Sequence, residues 1–169
     1  MREARPHQAL LAEGVLLEHS PGEAEVTTVF VSHQWCGTSG PDPRFRQLKV
    51  LQAMFFRAGA GLVSVEQDLR STLHKTIESP FHARELRDSA GWSLWYDYFS
   101  VPQPGLERST EHRSEDEANF DKAISSLAAY VSLCTHFFVL APVVVHEDGY
   151  VVDYRSWKSR GWCRFERLA

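Results

Sequence analysis

With 169 residues, 43% of them hydrophobic and 24% charged, the chain has the length and composition of one globular domain with a buried core. A formal net charge of −4 and the lack of any stretch dense in Lys and Arg argue against a nucleic-acid partner. Three scattered cysteines are too few for a disulfide framework. The longest apolar run, residues 137–145, is far shorter than the about 20 residues of a membrane-spanning helix. We therefore expect a cytoplasmic protein without a membrane partner.

Residues 26–61 are predicted to form a strand, a loop and a helix. Residues 26–31 are a continuous apolar run rich in β-branched side chains, which is typical of a strand buried on both faces of a parallel sheet. After a loop, Asp42 and Pro43 supply an N-cap and a first helical residue. Apolar residues then recur every three to four positions from Phe45 to Phe55, which predicts an amphipathic helix.

The middle of the chain predicts a helical insertion and a second strand. Residues 64–77 begin with a capping-box pattern and carry apolar side chains at helical spacing, so we interpret them as an inserted helix. Residues 94–101 are apolar and aromatic, which predicts a second buried strand. The charged residues 106–117 that follow predict a loop.

The last third of the chain predicts another helix, a third strand and a hairpin. Apolar residues recur at helical spacing from Phe120 to Val131, and residues 136–140 predict the strand. Asp148 and Gly149 between β-rich flanks predict a two-residue hairpin turn before a final helix. The alternation of strands and helices predicts an α/β sandwich around a parallel sheet.

Polar and aromatic side chains follow the first two predicted strands at the point where each strand ends. His33, Gln34 and Trp35 come directly after the first strand, and residues 97–103, from Asp97 to Gln103, end the second. Ligands of open parallel sheets bind beyond the carboxyl ends of the strands. The sequence therefore predicts that these side chains line a ligand pocket at one edge of the sheet.

The end of the chain carries a Trp-x-x-x-Glu pair, Trp162 and Glu166. On a helix, residues four apart lie on the same face, so a flat aromatic ring would stand beside a carboxylate. Such a pair suits a ligand with a planar ring and an attached ribose. The alternative is a core Trp next to a solvated Glu.

Other candidate residues have two interpretations each. Asp97 is either a polar group of the pocket or a strand-end cap. The loop from Gly37 to Gly40 either cradles a phosphate at the following helix or is a flexible loop, and it lacks the known dinucleotide and P-loop spacings. Cys36 and Cys134 each lie near a His, but no second pair has the spacing of a zinc site, so we expect no metal.

Three segments resemble, in this order, the motifs of the Toll/interleukin-receptor (TIR) superfamily. They are residues 30–35 (Phe-Val-Ser-His-Gln-Trp), residues 94–103 (Leu-Trp-Tyr-Asp-Tyr-Phe-Ser-Val-Pro-Gln) and residues 160–168 (Arg-Gly-Trp-Cys-Arg-Phe-Glu-Arg-Leu). The second and third are also similar to the fungal heterokaryon-incompatibility (HET) domain. The resemblance implies a flavodoxin-like fold over residues 26–169, preceded by an N-terminal extension, residues 1–25. Because the family fold has two further strands, it also implies a domain that continues beyond residue 169.

The enzymes of this superfamily cleave the nicotinamide–ribose bond of NAD. The resemblance therefore implies that NAD is the substrate, with no separate cofactor, and that Glu166 is the catalytic residue. It places Trp162 in the pocket. The residues at the predicted sheet edge, His33, Gln34, Trp35, Asp97 and Gln103, are the further candidate substrate-binding residues. Many such domains are instead non-catalytic modules that bind a second copy of themselves in stress or cell-death signalling. A degenerate fragment with neither activity is a third alternative.

Overall fold

The computed structural model describes residues 4–18, 26–38, 40–63, 83–104 and 113–161, together with Cys163 and Glu166. These residues form a mixed α/β structure around a three-stranded parallel sheet. Its strands are β1 (Thr28–His33), β2 (Ser93–Trp95) and β3 (His136–Leu140), in the order β2-β1-β3. Strand β1 therefore lies in the middle, which agrees with its prediction as a strand buried on both faces.

Helices cover both faces of this sheet. In the described residues they are α1 (His7–Ala12), α2 (Arg46–Gly59), α3 (Ala83–Arg87), α4 (Asp97–Ser100), α5 (Arg113–Ser125), α6 (Leu127–Leu133) and α7 (Tyr154–Ser159). A 3₁₀ turn, Ser89–Gly91, precedes β2. A separate hairpin consists of β4 (Val144–Val145) and β5 (Val151–Val152). None of the described helices has both the length and the hydropathy needed to cross a bilayer.

The two faces of β1 are buried by different elements, because successive side chains of a strand point to opposite faces. Val29 and Val31 lie in a core that also contains buried residues of the first, second and fourth helices. Phe30 points the other way, where its ring stacks between those of Trp95 and Phe137, at 4.5 and 5.4 Å between centroids. The predicted mixed α/β class with a parallel sheet is therefore confirmed.

The second strand is much shorter than predicted. Only Ser93–Trp95 pairs with β1, and the chain then turns into helix α4 rather than continuing as a strand to residue 101. Asp97 is thus the first residue of a helix and does not lie inside a strand. An apolar and aromatic run does not by itself distinguish a buried strand from a short buried helix, and Tyr98 and Phe99 are buried in the core from this helix.

The third helical region begins earlier than predicted. Residues 113–117, which belong to the predicted charged loop, are the first turns of α5, where Glu115 and Asp116 favour the positive end of the helix dipole. The predicted helix from Phe120 to Val131 is present, divided at Ser126 into α5 and α6. The predicted inserted helix, residues 64–77, lies outside the described residues.

Helix α2 forms as predicted, with a displaced start. The carboxylate oxygens of Asp42 accept from the backbone N–H groups of Arg46 and Leu48, at 2.8 and 2.9 Å. Asp42 thus caps α2, although it lies four residues before the first residue of the helix. A turn intervenes, in which Phe45 has a left-handed backbone with φ of 54°. The helix therefore begins at Arg46 instead of Pro43.

The predicted hairpin is present with a longer turn. His146 N donates to Tyr150 O at 2.8 Å, so three residues, the last of them Gly149, connect the paired positions instead of two. Gly149 has φ of +90°, which only glycine adopts easily. A helix after the hairpin was predicted, but not the separate short helix α7, which follows at once. It is capped by Asp153, whose side chain accepts from the backbone of Ser156 in a capping box.

Helix α1 anchors the start of the chain to the sheet edge. Leu10 is buried in the core, His7 Nδ1 lies 3.0 Å from Phe99 O, and Gln8 Nε2 donates to Gln103 O at 3.0 Å. The N-terminal residues 7–12 thus pack directly on α4 and on the segment that follows it.

Candidate functional site

A pocket of about 310 Å³ lies at the carboxyl edge of the parallel sheet. We call it the edge pocket. Its polar and aromatic lining comes from the end of β1, from the segment after β2 and from the end of the chain: His33, Gln34, Trp35, Trp95, Asp97, Gln103, Arg160 and Cys163. Its apolar lining is Val101 and the side of the α5–α6 helical region that faces the sheet: Phe120, Ala123, Ile124 and Leu127. The volume is at the small end of ligand sites, which span about 300–1,000 Å³.

The structure brings together five of the seven side chains that the sequence places in a site. His33, Gln34, Trp35, Asp97 and Gln103 all line the edge pocket. They meet there because β1 and β2 are adjacent and parallel, so that both strands end at the same edge. Trp162 lies outside the described residues, and Glu166 is described below.

Asp97 organises one wall of the edge pocket. Its Oδ1 lies 2.8 Å from His33 Nε2 and accepts from Tyr98 N at 2.6 Å, and its Oδ2 accepts from Trp35 Nε1 at 3.1 Å. The carboxylate therefore fixes both an imidazole and an indole. Asp97 lines the pocket and also accepts from the backbone of Tyr98, but it is the first residue of α4 and not its cap, because the N-cap position is Tyr96.

His33 and Asp97 form an ion pair at this wall. Burial of the imidazole would lower the pKa of His33, but the charge and hydrogen bond of Asp97, with a contribution from Glu166, outweigh burial and raise it. Burial would raise the pKa of Asp97, but the charge and hydrogen bond of His33 and the further donors lower it. The other nitrogen of His33, Nδ1, lies 3.3 Å from the hydroxyl of Tyr96, whose ring stacks on the imidazole. Both ring nitrogens are thus engaged.

The amides of Gln34 and Gln103 serve mainly to hold backbone. Gln34 Nε2 donates to Asp153 O at 3.0 Å and to Ser156 Oγ at 2.8 Å, which ties the start of α7 to the end of β1. Gln103 Nε2 donates to Val101 O at 2.8 Å, within the segment after α4. Both side chains line the edge pocket, while their Nε2 groups donate hydrogen bonds to other parts of the protein.

Glu166 is buried behind the edge pocket, with 4% of its surface exposed. Its Oε2 accepts a short hydrogen bond from the hydroxyl of Ser32, and that hydroxyl accepts from Trp157 Nε1 at 3.0 Å. The alternative of a solvated Glu is therefore wrong for this residue. Ser32 is the strand neighbour of His33 and points to the opposite face of β1, so Glu166 and Asp97 lie on either side of the same strand end.

The end of the chain relates Glu166 to the edge pocket. Gly161, Cys163 and Glu166 are helical, so Cys163 and Glu166, three residues apart, share a helix face. Cys163 lines the pocket, and its Sγ donates to His33 O at 3.5 Å. Glu166 itself does not line the edge pocket, and it follows Cys163, which does, by about one helical turn.

The thiol of Cys163 is not a nucleophile in this arrangement. Burial first, and then the charge of Glu166, raise its pKa to about 12, so it is a protonated thiol at neutral pH. The only bond it makes to His33 in the described structure is to the backbone carbonyl. Among the residues that the structure describes, no three His, Cys, Asp or Glu side chains are close enough together to hold a metal ion.

The loop after β1 does not offer a phosphate cradle at its start. Thr38 N and Thr38 Oγ1 both bond to Glu147 Oε2, at 3.1 and 3.3 Å, so a protein carboxylate already occupies the place of an anion. A Cβ on Gly37 would lie 2.3 Å from Pro43 Cγ. Close packing therefore explains this glycine better than either phosphate binding or flexibility does.

Sequence reasoning missed three side chains of this region. Ser32 could have been found from the two-residue period of β1, which places it at the strand end beside His33. Trp157 could have been found from the capping pattern of Asp153 and Ser156, which predicts α7. Arg160 lines the edge pocket directly after α7, and a basic residue next to the Trp-x-x-x-Glu pair was its only signal.

Comparisons of the chain with protein-family models, with curated proteins and with solved structures gave no match. A function therefore has to be inferred from the geometry of the edge pocket.

Proposed function

We propose that the chain is a TIR/HET-like domain with a flavodoxin-like fold that binds NAD in the edge pocket and cleaves its nicotinamide–ribose bond, with Glu166 as the catalytic carboxylate. The observation that carries this proposal is a buried carboxylate bonded to Ser32, whose neighbour His33 lines a pocket with two tryptophans in its wall. The motif resemblance supports it, because the three similar segments contribute residues to this pocket.

One carboxylate suffices for the chemistry. In NAD the nicotinamide is a pyridinium cation, so when the bond from C1′ to the ring nitrogen breaks, the electron pair passes to that nitrogen and nicotinamide leaves neutral. No general acid is needed, in contrast to ordinary glycosides, where two carboxylates share the work. Water then adds to C1′ and releases a proton. The role of Glu166 is to stabilise the positive charge that develops on the ribose.

The walls of the edge pocket suit a planar ring. Trp35 is fixed by its hydrogen bond to Asp97 and packs edge-on against Tyr98, at 6.0 Å between ring centroids. Trp95 is fixed by stacking on Phe30. Two aromatic walls whose orientation is set by the protein offer stacking surfaces at little entropic cost.

Ser32 sets the position of the proposed catalytic group. Its hydroxyl donates a hydrogen bond to Oε2 of Glu166 and accepts one from Nε1 of Trp157. Glu166 is buried and does not line the pocket, so it has to leave Ser32 and move toward the pocket before its carboxylate can contact a ribose. We therefore expect Glu166 to change its hydrogen-bond partner when the substrate binds.

The test is release of nicotinamide from NAD by concentrated protein, because enzymes of this kind commonly complete their site by assembly. We expect the conservative substitution Glu166→Gln to reduce the rate at least 100-fold, as removal of one charge-stabilising group typically does. Glu117→Gln, on the exposed side of α5, is the matched control and should keep the full rate. Equal release by the wild type and Glu166→Gln would contradict the proposed role of Glu166.

A non-catalytic module that binds a second copy of itself is the second candidate. The apolar side chains that the hairpin exposes favour it: Val143 before β4 is 78% exposed, and Val151 in β5 is 57% exposed. Exposed apolar side chains that lie together are typical of protein contacts. Sedimentation at the concentrations of the nicotinamide assay distinguishes the two candidates, because the module would associate without releasing nicotinamide.

A further inference from the structure

We propose that Arg160 binds the phosphate next to the scissile bond, so that the edge pocket takes a nicotinamide nucleotide and discriminates against the corresponding nucleoside. This inference rests on the proposed function, because it names the substrate class of the same pocket. It concerns binding, however, and is tested without turnover.

Arg160 is placed at the edge pocket by the end of α7. It is the C-cap residue of that helix, with an extended backbone, and its N–H donates to Trp157 O at 3.2 Å. Its guanidinium makes no hydrogen bond or ion pair with any residue that the structure describes. It is also the only Lys or Arg among the described residues that line the pocket. An Arg without a carboxylate partner among the described residues is available to an anionic ligand.

Arg160 and the two acids all act electrostatically on Cys163. Besides burial, the charges of Glu166 and Asp97 raise the pKa of this thiol, and the charge of Arg160 lowers it. Arg160 and Asp97 line the edge pocket together with Cys163. The other cation there, His33, is already paired with Asp97.

This charge arrangement matches a nicotinamide mononucleotide unit. Such a unit has a cationic ring on one side of a ribose and an anionic phosphate on the other. Asp97 lines the pocket with 27% of its side chain exposed, and Glu166 is buried on the segment that also carries Cys163. Arg160 then offers a planar fork of N–H donors to the phosphate. A nucleoside lacks that anion and gains nothing from Arg160.

The experiment measures binding by calorimetry with carbocyclic nicotinamide mononucleotide and carbocyclic nicotinamide riboside. Replacement of the ribose ring oxygen by carbon prevents an oxocarbenium ion, so neither probe is cleaved. We expect the wild type to bind the nucleotide at least 10-fold more tightly than the riboside. Arg160→Gln should lose this preference and keep the affinity for the riboside. Arg155→Gln, an exposed position on α7, is the matched control and should bind as the wild type does.

Several outcomes would overturn the inference. For the wild type, they are equal affinity for the two probes and no measurable binding of the nucleotide. For the variants, they are a loss of affinity in Arg160→Gln that is equal for both probes, and the same loss of nucleotide affinity in Arg155→Gln. The proposed chemistry fails separately. A preference that depends on Arg160 without any nicotinamide release would leave the binding site and remove the reaction. Release that depends on Glu166, with equal binding of both probes, would leave the reaction and remove the role of Arg160.

Discussion

The substitution Asp97→Asn tests the ion pair at the wall of the edge pocket. Asp97 accepts hydrogen bonds from His33, Trp35 and Tyr98 N. An Asn has a single acceptor oxygen, so its NH₂ group must face at least one of these donors. Removal of one partner of a buried ion pair costs about 3–5 kcal/mol. Because 27% of the Asp97 side chain is exposed, we expect the low end, about 3 kcal/mol.

The loss should depend on pH in a defined direction. His33 has a raised pKa in the folded protein, so its contribution to stability is fully present below the unfolded value of about 6.5 and is lost as the pH rises through the folded pKa. Asp97 has a lowered pKa, so its contribution is present above about 3.9 and is lost in acid. The pair therefore stabilises most between about pH 4 and 6.5. In Asp97→Asn, burial of the imidazole is opposed mainly by Glu166, and the contribution of His33 shrinks or reverses.

The assay is thermal unfolding of both proteins at pH 5.5 and pH 8.5. One kcal/mol shifts Tm by about 2–4 °C in a chain of this length, so we expect Asp97→Asn to lower Tm by roughly 6–12 °C at pH 5.5 and by clearly less at pH 8.5. Asp148→Asn is the matched control, because Asp148 also lies beside a His but is 60% exposed, and its Tm should change little. A loss in Asp97→Asn that is the same at both pH values, or larger at pH 8.5, would refute the ion pair.

Two further predictions concern packing near the same strand end. Gly37→Ala should lower the free energy of unfolding by about 1–3 kcal/mol, because the new Cβ would lie 2.3 Å from Pro43 Cγ. In the control Gly40→Ala the new Cβ meets no atom within 4 Å. Equal denaturation midpoints for the two variants would contradict this prediction. Trp157→Phe should lower the free energy of unfolding in urea by about 2–3 kcal/mol, because it removes the donor to Ser32 and leaves a buried gap. A change below about 0.5 kcal/mol would show that this hydrogen bond is unimportant.

Much of the fold was predictable because its signals are local. The apolar run that contains β1, the helical period of α2 and the Asp148–Gly149 turn each depend on a few neighbouring residues. The errors occurred where local signals are degenerate. The run after Leu94 is equally apolar as a strand and as a short helix, and only burial of Tyr98 in the core from α4 decides between them. The charged sequence at the start of α5 is typical of a loop, because its acidic residues stabilise a helix only where a helix start is already present.

The candidate site was predictable in its location and less so in its details. Parallel strands end at a common edge, so the residues after β1 and near the end of β2 had to meet there. The hydrogen bonds that decide what each side chain does are long-range and leave no local pattern. Trp35 and Asp97 are 62 positions apart, and Ser32 and Glu166 are 134 apart. Only the three-dimensional structure shows that Gln34 donates to the backbone of Asp153, while Asp97 bonds to two side chains of the pocket wall.

The two acids at the end of β1 are the strongest argument for chemistry at this edge. Ser32 and His33 are consecutive, point to opposite faces, and each binds one carboxylate, Glu166 on one side and Asp97 on the other. Burial of charge costs several kcal/mol per ion, and well-packed apolar side chains of similar volume are often neutral or stabilising in its place. Stability alone therefore gives no reason to keep two acids at one strand end. The ligand proposed above, with a cationic ring, a ribose and a phosphate, gives a reason for both acids and for Arg160 in the lining of the edge pocket.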